Sequence, residues 1–126
     1  MSRSANQYAS SIWCESATAP GVRFEIARVS FGRRMELARR IREIGRKAEY
    51  LDAGSEVREK IEGVVMAAEI ERAYLEWGLI GVEGLEIDGT PATPQALIEA
   101  GPVELAMEIL ARIKAECGLT EEERKN

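Results

Sequence analysis

The rhythm of apolar and polar positions changes several times along the chain. Residues 1–20 are rich in Ser, Ala, Asn and Thr and show no period, which predicts a flexible N-terminal leader. The apolar pair Ile12-Trp13 interrupts it, and such a pair in a polar arm either docks on a groove or a partner or is as floppy as the arm that carries it. Val22, Phe24 and Ile26 then alternate with Arg23 and Glu25, the period of a short strand. After Ser30, a helix N-cap residue type, the period lengthens. Leu37, Ile41, Ile44, Ala48 and Leu51 fall three and four apart, an amphipathic helix ending at Ala53-Gly54.

Ser55 is placed to cap the next helix, over about 56–77. Val57, Ile61, Val64, Ala68 and Leu75 form its stripe, and Val65, Met66, Ile70, Ala73, Tyr74 and Trp77 widen it. A helix apolar over so much of its circumference is expected to be buried between neighbours, at the centre of the fold. Gly78, Gly81 and Gly84 break the pattern, predicting an irregular loop. Leu85 and Ile87 alternate around Glu86, and Asp88-Gly89 is a tight-turn signal, so a small β-hairpin or bridge is expected near 84–90. Thr93-Pro94 opens a short helix to about Ala100, and Gly101-Pro102 separates it from a last amphipathic helix carrying Leu105, Ile109, Leu110 and Ile113. Gly118 is its stop, and Thr120 with Glu123 has capping-box spacing. These elements predict a mainly α protein: one domain over 21–126, a bundle of about four helices with a short N-terminal strand.

Composition narrows the chemistry. The chain has no histidine and two cysteines, Cys14 and Cys117, so the commonest general base is missing and a zinc site of N and S ligands cannot be assembled within one chain. The two cysteines, without a secretory apolar stretch, are expected to be free thiols in a cytoplasmic protein, and no apolar run is long enough to span a membrane. Pairs such as Glu69 with Glu76 and Glu104 with Glu108 fit solvated helix faces better than an acid–base site. The glycines at 78, 81 and 84 lack the lysine and spacing of a phosphate loop. No enzyme, no cofactor and no metal is expected. The net charge of −5 is unevenly spread: Val22 to Lys47 carries nine Lys/Arg and three Asp/Glu, and the remainder eight and nineteen. An arginine-rich helix over 33–47 in an acidic protein points to a polyanionic partner or to attraction between oppositely charged halves.

The segment from Tyr74 to Asn126 resembles the small tail assembly chaperones of long-tailed bacteriophages and prophages. The resemblance lies in Trp77-Gly78, in Gly84-Leu85-x-Ile87-x-Gly89, in Thr93 followed by Leu97, in Gly101-Pro102 before an isoleucine-bearing helix, and in the Glu-Arg-Lys-Asn ending. The stretch SFGRRMELARRIREIGRKAEYLDAG is similar to the basic first helix of the same group. The family's role would be to bind the tape measure protein, a long helical chain with apolar stripes, and keep it soluble in the host cytoplasm until the tail tube closes around it. On that reading Met66, Ile70, Tyr74, Trp77, Leu105 and Ile109 are the partner-binding anchors, Arg33, Arg39, Arg40 and Lys47 form a basic rim that steers an acidic client, and the chain self-associates. Two other readings stand beside it: a phage structural or connector protein that assembles with copies of itself, and a small nucleic-acid-binding protein using the arginine helix.

Overall fold

The computed structural model describes residues 5–49 and 56–118, with side chains described outside 47–61. Two antiparallel strands come first, β1 (Ser11–Glu15) and β2 (Arg23–Ala27). They pair with Ser11 opposite Ala27 and Glu15 opposite Arg23. The helices α1 (Phe31–Glu49) and α2 (Glu56–Gly78) follow, and the chain returns as β3 (Leu79–Glu83) on the other side of β2, giving the order β1-β2-β3. A two-stranded hairpin, β4 (Glu86–Ile87) and β5 (Thr90–Pro91), leads to α3 (Pro94–Ala100) and α4 (Val103–Glu116). With four helices and two small antiparallel sheets among the described residues, the protein is a mixed α/β structure and not the mainly α bundle that its periodicity predicts.

Two elements account for the difference. Residues 11–15, taken above as part of a flexible leader, form the edge strand β1. Ile12 and Cys14 face inward against Ile26 and Phe24, an alternation disguised because its second inward residue is a cysteine. The glycine-marked stretch after Trp77 is strand β3 rather than loop. Gly81 is a strand residue because the Trp13 ring lies over it: a Cβ there would sit 3.2 Å from the indole.

The core lies where the inner face of the sheet meets α2, α3 and α4. Phe24, Ile26, Leu79, Leu97, Leu105, Ile109, Leu110 and Ile113 are its buried members. Local signals hold most boundaries. Ser30 Oγ accepts from Arg33 N, Thr93 Oγ1 accepts from Ala96 N with Pro94 in the first turn, and Gly118 turns left-handed (φ 80°) after α4. Asp88 (φ 51°) and Gly89 (φ 79°) make the tight turn between β4 and β5. The expected caps Gly54, Ser55, Thr120 and Glu123 lie outside the described residues.

The expectation for α2 holds over half its length. Ala73, Tyr74, Leu75 and Trp77 are buried, whereas Val64 is 71% and Val65 47% exposed. The apolar face that α3 and α4 cover near Gly78 continues bare toward the N-terminus, where α1 is the neighbour.

One carboxylate closes the β1–β2 connection. Glu108 of α4 accepts from Ser16 Oγ at 2.6 Å, Ala17 N at 2.7 Å and Thr18 Oγ1 at 2.8 Å. Burial alone pushes its pKa up, but these hydrogen bonds outweigh that and hold it below the ordinary value of 4.5. With the folded pKa depressed, the stabilisation is present above the unfolded pKa and lost as pH falls through the folded one. Glu108→Gln is expected to lower the urea midpoint at pH 7, with the gap to the parent protein closing as pH falls through the depressed folded pKa. A gap that does not narrow as pH falls would show that the ionised carboxylate is not the source. At Gly78, a Cβ would lie 2.8 Å from two carbons of the fully buried Ile113. Gly78→Ala is expected to cost about 1–3 kcal/mol in urea unfolding.

Candidate functional site

Between α1 and the end of α4 the surface opens into an apolar groove. Its walls are Val29 before α1, Leu37, Ala38 and Ile41 on α1, and Cys117 after α4; Tyr74 and Trp77 of α2 form the floor. The cavity measures about 300 Å³, and Arg34 stands at its rim. It arises because, among the described residues, the heptad-like stripe of α1 packs chiefly on α2. Leu37 is buried and Ile41 half-buried against α2, while the flank carrying Ala38 faces outward. A helix laid along this valley would complete a three-helix layer.

The floor is held from α1. Trp77 Nε1 donates to Arg33 O at 2.9 Å, Arg33 returns a hydrogen bond to Trp77 O, and the guanidinium stacks 4.8 Å from the indole centroid. Tyr74 lies under Lys114, whose Nζ is 5.6 Å from the ring centroid. Arg28 fastens the end of α4 by pairing with Glu116 at 3.3 Å.

The expected site residues divide. Tyr74 and Trp77 do line the groove, but as buried floor: Trp77 is 2% exposed. Ile70 and Met66 lie half-buried one and two turns further along α2, Ile70 packed against the core. Leu105 and Ile109 are sealed in the core between α4, β2 and α2, and offer a guest no surface in this conformation. Of the expected rim, Arg33 is committed to Trp77 and to Glu36, and Arg40 pairs with Glu36 at 3.7 Å. Arg39 is exposed, and the side chain of Lys47 lies outside those described.

Arg34, Val29, Leu37, Ala38, Ile41 and Cys117 were not singled out as site residues. Leu37 and Ile41 belong to a stripe that reads as bundle core, and nothing in the sequence tells that α1 has one neighbour instead of two. Among the described residues, Arg34, Arg39, Arg42 and Arg46 form no ion pair, so the exposed side of α1 carries uncompensated positive charge.

The arrangement is suited to binding and carries little reactive chemistry. Burial, with the Glu116 charge beside it, pushes the Cys117 thiol pKa up, against a smaller opposing effect of Arg34, so the thiol stays protonated at neutral pH. Among the described residues no cluster of Asp, Glu or Cys is placed to hold a metal ion, and no helix is long and apolar enough to cross a membrane. On the far side of the α1–α2 pair, a hollow lined by Arg40, Glu43, Glu69, Arg72 and Glu76 is filled with mixed charge; Arg72 pairs there with Glu76 at 3.4 Å. No protein-family model, curated protein or solved structure matches the chain.

Cys117 is expected to react with iodoacetamide at pH 8 several-fold more slowly than free cysteine, and more slowly again when a ligand fills the groove. Mass-spectrometric time courses separate Cys117 from the buried Cys14.

Proposed function

We propose that this protein is a non-catalytic phage tail assembly chaperone that binds and solubilises the tape measure protein in the host cytoplasm. The observation that carries the reading is the apolar groove over Tyr74 and Trp77, flanked by Arg34, which forms no ion pair among the described residues. An amphipathic helix buries its apolar ridge in such a valley and leaves its polar side in water, and this is the kind of segment a tape measure chain presents repeatedly. The resemblance of residues 74–126 to the tail chaperones supports the same reading. The anchors move: Ala38, Ile41 and Val29 replace Leu105 and Ile109, while Ile70 and Met66 extend the floor.

A second reading is favoured by one observation, the arginines of α1 that lack ion pairs. They would suit a nucleic-acid phosphate backbone, and such binding would fall steeply as salt rises.

Co-expression with a tape measure segment is expected to keep that segment in the soluble fraction. Ala38→Glu, at an exposed position, is expected to abolish the rescue while leaving the urea midpoint within about 0.5 kcal/mol of the parent protein. A client that stays insoluble with the parent protein, or that Ala38→Glu rescues equally well, overturns the proposal. Binding to a DNA duplex that is lost between 50 and 200 mM salt would favour the second reading.

A further inference from the structure

β1 is an edge of the three-stranded sheet, and its free side is laid out for another strand. Arg28 N donates to Ser10 O and Ser16 N donates to Val22 O, both at 2.9 Å. With the observed register, residues 10, 12, 14 and 16 therefore point their backbone groups toward β2, and Ser11, Trp13 and Glu15 point theirs outward. Among the described residues nothing bonds to those outward N–H and C=O groups. Several of the usual guards of an exposed edge are missing as well, Glu15 being its one charge. β1 has no proline and no lysine, and the irregularity in the sheet lies between β2 and β3 rather than in β1.

We propose that a second copy of this chain occupies the edge, adding its own β1 antiparallel across a two-fold axis at Trp13. The two sheets then join into one of six strands. Ser11 faces Glu15 of the second copy, Trp13 faces Trp13, and each of these pairs exchanges two backbone hydrogen bonds.

Charge selects this register. Glu15 is the one charged residue of β1. A two-fold at Glu15 would set two carboxylates directly opposite each other, which destabilises a strand pair. A two-fold at Trp13 places each Glu15 beside Ser11 of the second copy, whose hydroxyl already donates to its own Glu25, leaves Arg23 of its own chain 3.7 Å away, and keeps the two Glu15 carboxylates ~14 Å apart. It also uses the whole length of β1. On the inner face Ile12 meets Cys14 of the second copy, extending the apolar layer across the seam. On the outer face the half-exposed Trp13, stacked by Arg23 at 5.0 Å, sits at the centre. Because the same edge serves both copies, association closes at two and does not run on into a filament.

The parent protein at tens of micromolar is expected to sediment at twice its 13.9 kDa mass. Glu15→Pro deletes an outward N–H and no β1–β2 hydrogen bond, so it is expected to weaken the dimer at least tenfold without moving the unfolding midpoint of the subunit. In a Cys117→Ala background, a mixture of Ser11→Cys and Glu15→Cys chains is expected to form an intermolecular disulfide on mild oxidation, and neither variant alone does so. This cross-link reads the register even if the proline variant fails to fold. A monomer at these concentrations, a dimer that forms no disulfide between positions 11 and 15, or assemblies that continue past two copies would each overturn the proposal.

Discussion

Helix α2 passes into strand β3 between Gly78 and Leu79 with no residue in between, and this junction governs the rest of the structure. A strand that begins where a helix ends has its first residue placed by the helix, so the sheet cannot slide far relative to α2. The junction must also run close to α4, and Gly78 allows that by leaving room for Ile113. With α2, β3 and α4 fixed at this crossing, β2 is set by its pairing to β3, β1 by its pairing to β2, and the connection between them by Glu108. The buried side chains of highest occlusion, Phe24, Ile26, Leu97, Leu105, Ile109 and Ile113, all gather around that crossing. Further toward the start of α2, beyond the crossing, Val64 and Val65 are exposed.

How much of this the sequence discloses depends on the range of the interaction. The caps at Ser30 and Thr93, the Asp88-Gly89 turn and the stop at Gly118 are local, and each is legible from residue type and spacing. The strand at 23–27 shows because Phe24 and Ile26 alternate cleanly with charge. β1 is hidden because its inward residues are Ile12 and Cys14, and a cysteine among Ser and Glu does not register as an apolar beat. β3 is hidden by Gly81, which looks like a loop residue until Trp13, nearly seventy positions earlier, is seen lying over it. That pairing is non-local and leaves no periodic trace. Calling both segments unstructured turned an α/β protein into a helical bundle.

The site was partly legible for the same reason. Tyr74 and Trp77 stand out as large apolar residues on an over-apolar helix, and they do form the groove floor. Leu105 and Ile109 have the same helical spacing and end in the core, because periodicity identifies a buried face without saying whether protein or guest covers it. The groove walls come from α1, whose stripe at Leu37 and Ile41 is indistinguishable in sequence from that of a helix packed on two sides. It becomes a wall because, among the described residues, α1 packs chiefly on α2 and not on a second helix.

The attachment of α1 is lopsided. Its first turn is clamped to the base of the molecule through Arg33 and Trp77, with two hydrogen bonds and a stacked guanidinium, while further along it rests on α2 through the aliphatic contacts of Leu37 and Ile41. Directional bonds resist displacement; dispersion contacts between smooth side chains yield at small cost. Among the described residues, α1 is therefore held by directional bonds at its first turn and by aliphatic contacts alone over Leu37 and Ile41, where the groove lies. On the proposed function, a wall of this kind would yield to guests of different girth, and selection among them would pass to electrostatics.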